Sequence, residues 1–115
     1  MSIHRIAGTC LTAAAILFAP AALADANDPP VFRIELRDGR ITPSRIEVPA
    51  HTRIKLILHN TGTTPVEFES RDLRKEKVLG PGVETFLVIR NLAPGTYRFF
   101  DDFHPEGENA VLVAQ

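Results

Sequence analysis

Tyr97-Arg98-Phe99-Phe100-Asp101-Asp102-Phe103-His104-Pro105-Glu106-Gly107, close to the C-terminus, is the stretch on which the reading of the chain turns. It begins as a strand, with Tyr97 and Phe99 alternating, and then breaks into a loop crowded with carboxylates around one histidine. A hydrophobic strand, Ala110-Val111-Leu112-Val113-Ala114, follows almost at once. An aromatic strand, a loop with potential ligands and an apolar closing strand imply a β-sandwich presenting a small site at one end. Loops at the ends of a rigid sandwich are where function usually sits.

Working outward, the same period of two recurs along the chain. Val31-Phe32-Arg33-Ile34-Glu35-Leu36 alternates and ends at the turn signal Asp38-Gly39. Ile41-Thr42-Pro43-Ser44 reads as an irregular edge, and Arg45-Ile46-Glu47-Val48 alternates until Pro49 stops it. Arg53 to His59 is the strongest strand pattern, and Asn60-Thr61-Gly62-Thr63-Thr64-Pro65 is a turn-forming cluster. Val66 to Ser70, Glu84 to Ile89 and Thr96 to Phe100 complete the strands. The charged run Arg71-Asp72-Leu73-Arg74-Lys75-Glu76-Lys77 shows no helical face and reads as a solvated surface loop. Seven to eight short strands with frequent Pro and Gly punctuation predict an all-β, antiparallel Greek-key sandwich.

The first 24 residues read differently. A basic start with Arg5, an apolar run from Leu11 through Leu23 and Ala22-Leu23-Ala24 before Asp25 form the three-part pattern of a cleaved secretory signal. The run is short for a membrane span and contains Pro20, so residues 1–24 are expected to be removed and residues 25–115 to form one domain, with no stable membrane insertion afterwards. The only cysteine, Cys10, and the only methionine, Met1, lie in that segment. The domain therefore lacks thiol and thioether donors, which constrains its metal chemistry more than any other feature. Loss of Arg5 turns 13 basic residues into 12 against 14 acidic ones. No basic stripe indicates nucleic acid. No serine or threonine stands in a nucleophile-elbow context and no glycine loop cradles phosphate, so hydrolase chemistry has no support.

The order of these signals resembles the cupredoxin fold. The markers are Ile41-Thr42-Pro43-Ser44-Arg45-Ile46-Glu47-Val48, the Asn60…Gly62 turn, Pro81-Gly82, Leu92-Ala93-Pro94-Gly95-Thr96-Tyr97 and the last strand. Within that fold the chain is most similar to the small cupredoxin-like domain of EfeO-type periplasmic iron-uptake proteins, through Glu67-Phe68-Glu69 after the Asn turn. In copper-carrying cupredoxins, a histidine from the first loop joins a cysteine, a histidine and often a methionine from the last. The resemblance puts Asp101 at the cysteine position, His104 at the histidine, Val66 or Glu67 near the first histidine, and Glu106 to Asn109 near the methionine.

The resemblance implies a hard-to-borderline site of His104, Asp101 and Glu67, with Glu69 and Glu106 as further candidates, for iron or Cu(II) but not type 1 copper. Each candidate has a plainer reading. His104 could be a solvated loop histidine, and Asp101 and Asp102 could simply cap the turn. On an extended chain only one of that pair can face the site, and Asp101 is the choice here. Glu67 and Glu69 share a strand face, which must be either solvent or a site because a core would not tolerate them. Glu106 and Glu108 sit in a Gly-flanked loop where solvation is the simpler state. His59 reads as a structural histidine and His51 as an exposed one.

The leading expectation is a periplasmic, non-enzymatic metal-binding accessory protein serving iron uptake, with a periplasmic or membrane iron-transport component as partner. Assistance to Fe(II) oxidation would need a redox partner that the sequence does not contain. The rivals are a metal-free interaction module and, against the missing cysteine and methionine, a copper electron-transfer protein.

Overall fold

The computed structural model describes residues 2–4, 8–18 and 27–115. The expected cleavage site at residues 22–24 lies outside the described residues. Residues 2–4 and 8–18 are exposed and carry no helix or strand. Among the described residues no helix is long and apolar enough to cross a membrane.

Nine strands are described: β1 (Val31–Arg37), β2 (Arg40–Thr42), β3 (Arg45–Val48), β4 (Ile54–Asn60), β5 (Val66–Ser70), β6 (Lys75–Leu79), β7 (Glu84–Ile89), β8 (Gly95–Asp101) and β9 (Asn109–Ala114). They form a four-stranded sheet in the order β2-β1-β4-β7 and a five-stranded sheet in the order β3-β9-β8-β5-β6. The all-β sandwich expected from the alternation is present, with two corrections.

The sheets are mixed rather than antiparallel throughout. β1 runs parallel to β4, from Val31 opposite Lys55 to Leu36 opposite Asn60, and β3 runs parallel to β9. The chain leaves the first sheet after β2, passes the cis Thr42–Pro43 bond, visits the second sheet as β3 and returns beside β1 as β4. Alternation reports which face is buried and says nothing about the direction of a neighbour. The second correction concerns the charged run, whose end is the edge strand β6, paired with β5 from Val66–Leu79 to Ser70–Lys75. Only Leu79 of β6 is fully buried, so its strand state comes from the backbone ladder and leaves no apolar pattern to read.

The core lies between the sheets. Ile34, Leu36, Leu56 and Leu58 face Val66, Phe68, Phe99 and Leu112, all essentially inaccessible to water. The Phe68 and Phe99 rings lie 5.2 Å apart, tilted by 31°. Full burial of such a side chain contributes about 1.5–3 kcal/mol. Those two rings anchor β5 and β8, the strands that carry most of the candidate ligands.

Candidate metal centre

Three connections meet at one end of the sandwich: the β1–β2 turn, the β4–β5 loop and the β8–β9 loop. Asn60, wholly buried, shapes the second of these. Its side-chain amide donates to the carbonyls of Thr64 (2.9 Å) and Leu79 (3.1 Å), and its Oδ1 accepts from the Gly62 N–H (3.0 Å). The turn signal at Asp38-Gly39 becomes a tight bend with both residues at positive φ, which brings the Gly39 carbonyl to the Glu108 N–H at 2.9 Å. Gly107 packs so closely on this bend that a Cβ would come within 2.4 Å of the Gly39 oxygen, so only glycine fits there.

Asp101 closes β8 from the inside. Tyr97, Phe99 and Asp101 share one strand face, and Asp101 is only 2% exposed. Its Oδ1 accepts from the backbone N–H groups of Glu67 (2.9 Å) and Phe103 (3.0 Å). Its Oδ2 lies 2.6 Å from Nδ1 of His104. Nε2 of His104 is 3.1 Å from the Thr64 hydroxyl, which is itself 2.6 Å from Oδ1 of Asp38. Thr64 has one hydroxyl proton and gives it to the carboxylate, so Nε2 of His104 is the donor to Thr64. The Thr64 hydroxyl, the backbone N–H groups of Thr64 and Thr63 and the charge of His104 together hold the Asp38 carboxyl below the usual carboxylate range. The result is a continuous chain, Asp101–His104–Thr64–Asp38, that stitches all three loops together.

The second grouping lies on the outer face of the same sheet. Glu67 and Glu69 point outward from β5, opposite Val78 and Glu76 of β6. Asp102, one residue beyond the inward Asp101, emerges beside them, and its N–H donates to the Glu67 carbonyl at 2.9 Å. One carboxylate oxygen from each of Glu67, Glu69 and Asp102 lies within 4.8 Å of the others. Partial burial, then the charges of Asp102, Glu69, Glu76 and Asp101, push the Glu67 carboxyl above its ordinary range. Like charges on facing strand positions destabilise a sheet, so this patch is frustrated unless a proton or a cation enters it.

The five ligands expected from the sequence are thus divided. Asp101 and His104 meet each other. Glu67 shares only its backbone with them, and its side chain joins Glu69 outside. Glu106 is exposed on the turn and lies outside the acidic cluster, while Glu108 is fixed by accepting from the Ile41 N–H at 3.0 Å. Asp102, passed over in favour of Asp101, is the third carboxylate of the patch. Counting by two from Tyr97 and Phe99 would have sent Asp101 inward and Asp102 outward. Thr64 and Asp38 carried no signal beyond turn propensity.

Type 1 copper, the centre of the copper-carrying cupredoxins, does not fit the residues at this end. Asp101 stands where a thiolate is required, and both its oxygens are engaged. Val66 is wholly buried in the core, and residues 27–115 contain no cysteine or methionine.

Comparison with known proteins agrees with the fold. The cupredoxin-like domain family matches residues 9–114. The uncharacterized protein RP394 of Rickettsia prowazekii (strain Madrid E) is 37% identical over 81 residues, which cover 70% of this chain and 65% of that protein, so the chain spans just under two thirds of its relative. Among solved structures, the metal-binding domain of the Cu(I)-exporting P-type ATPase CopA of Streptococcus pneumoniae D39, with Cu(I), superposes with a TM-score of 0.68 at 13% identity, covering 80% of this chain and 91% of that one. Auracyanin B superposes with a TM-score of 0.65 at 14% identity over 77% of this chain and 92% of its own.

Proposed function

The chain belongs to the cupredoxin-like domain family, and from that premise we propose that it is a periplasmic metal-binding accessory protein for iron uptake that captures a divalent cation on Glu67, Glu69 and Asp102. The observation that carries this reading is the meeting of three carboxylates within 4.8 Å on a face where the Glu67 carboxyl is pushed up. Three anionic oxygens make a hard donor set, suited to Fe(II) or Mn(II) and unsuited to Cu(I). A cation relieves the repulsion that a proton otherwise relieves, so the two compete and binding weakens as pH falls through the Glu67 titration.

Asp101 and His104 serve as positioning residues in this reading. Asp101 accepts from the N–H of Glu67 and from that of Phe103, which follows Asp102, and so fixes the two segments that carry the outer carboxylates. The iron role draws on the similarity of Glu67-Phe68-Glu69 to EfeO-type domains, and the location on the leader pattern of residues 1–24. An iron-transport component of the envelope is the corresponding partner.

Calorimetric titration with Fe(II) under anaerobic conditions, Mn(II), Zn(II) and Cu(II) tests the assignment. Saturable one-to-one binding is expected, weakened at least about tenfold by Glu67→Gln, which removes one charged ligand. Binding that survives Glu67→Gln but vanishes in His104→Ala would move the site to the inner end. No saturable binding by any of the four ions would overturn metal capture. A metal-free interaction module is the second reading, favoured by one observation: the hydrogen bonds of Asp101 and His104 already occupy the position at which copper cupredoxins place their ligands.

A further inference from the structure

Each open sheet of this sandwich has two edges, and among the described residues only one of the four is left without protection. β2 is three residues long and runs into Pro43, and β3 is four residues long between Pro43 and Pro49. β6 carries Lys75 and Lys77 along its length. Short edges, prolines and lysines are the usual devices that keep an edge from pairing. β7, Glu84-Thr85-Phe86-Leu87-Val88-Ile89, is six residues long, has no proline or lysine, and is rich in residues that favour strands: Thr85, Phe86, Val88 and Ile89.

The phase of the β4–β7 ladder fixes which groups are free. The Asn60 N–H donates to the Val83 carbonyl at 2.9 Å, so Thr85, Leu87 and Ile89 turn their backbone groups toward β4. Glu84, Phe86 and Val88 turn theirs away, and the alternation continues to Arg90. Among the described residues nothing accepts or donates along that free row. The same four residues point their side chains to the outer face of the sheet, where Phe86 is 54% exposed and Arg90 is exposed, with no carboxylate paired to it among the described residues.

We propose that β7 pairs antiparallel with β7 of a second copy of this chain about a two-fold axis at Leu87, joining the two four-stranded sheets into one of eight strands. The phase requires the axis to pass through a residue rather than between two, and the charges choose which residue. An axis at Leu87 sets Phe86 opposite Val88 and Glu84 opposite Arg90, each twice, with the free backbone groups of these residues bonded to one another. The apolar pair meets at the centre, and at both ends Arg90 meets Glu84, whose carboxylate already lies 3.5 Å from Arg33 and 3.9 Å from His59 of its own chain, so the strand is complementary to itself. On the outer face the row Arg33–Ile57–Phe86 continues into Val88–Lys55–Val31 of the second copy. Directly opposed apolar and oppositely charged pairs are the units that stabilise a sheet.

The test is the mass of the full chain by analytical ultracentrifugation over a concentration series, with circular dichroism to verify each variant's fold. A reversible dimer is expected for the wild type. Glu84→Arg and Arg90→Glu should each weaken it by at least about tenfold, because like charges then face one another at both ends. The double swap Glu84→Arg with Arg90→Glu should restore dimerisation, and this rescue is specific to the register. A monomer at every concentration overturns the proposal. So does a dimer indifferent to all three variants, which would assign association to another surface such as the exposed apolar residues Leu11, Ile16, Leu17 and Phe18. Weakening by both single variants without rescue would overturn the Leu87-centred register.

Discussion

Asp101 and Asp102 are neighbours in sequence and opposites in environment. Asp101 faces the core and is saturated by two backbone N–H groups and a histidine; Asp102 faces out and meets two glutamates. One carboxylate has every partner it can use, while the other sits among like charges. The inner end of β8 is accordingly structural, whereas the outer face, where the Glu67 carboxyl is pushed up, is the one we propose for a cation. The residue types are shared, so the difference comes from the strand pleat.

The largest effect should come from breaking the inner end. Asp101→Ala strips acceptors from two N–H groups and a partner from His104, and should cost about 3–5 kcal/mol in a denaturant melt. If instead it proves nearly silent, the two regions are not distinct in the way their bonding indicates. His104→Ala leaves the Asp101 carboxylate buried with its backbone bonds, so a smaller loss of about 2 kcal/mol is expected by the same measurement.

The outer face should respond with the opposite sign. Because the Glu67 carboxyl is raised in the fold, its contribution is fully present below its unfolded titration range and is lost as pH rises through the folded one. Without metal, Glu67→Gln should therefore be more stable than wild type near neutral pH, by about 0.2–1 kcal/mol. That advantage should shrink toward zero under acid conditions, as paired thermal melts across pH would record. A destabilised Glu67→Gln at neutral pH would erase the contrast between the two faces. The smallest effect is local: Thr64→Val removes the hydroxyl that donates to Asp38 at 2.6 Å, and the Asp38 carboxyl should move up toward its ordinary range in a carbon-detected titration.

These contrasts bear on what could be read from the residues alone. Alternation in Val31–Leu36, Glu67-Phe68-Glu69 and Tyr97–Asp101 predicts the strands and their inner faces, because each pleat repeats every two residues wherever the chain runs. It fails at Lys75–Leu79, where an edge strand is held by its neighbour's backbone and buries only Leu79. It is also silent on the parallel β1–β4 and β3–β9 pairs, since direction is set by the path of the chain between sheets.

The ligands divide along the same line. That residues 27–115 offer carboxylates and imidazole but no sulfur is a property of the sequence by itself, and so is the exclusion of a thiolate copper site. Only the tertiary structure decided that His104 belongs with Asp101, Thr64 and Asp38, and that Glu67 and Glu69 belong with Asp102. Those groupings join residues tens of positions apart through loop packing at one end of the sandwich. A local pattern fixes which way a side chain faces, whereas the fold alone determines what it meets.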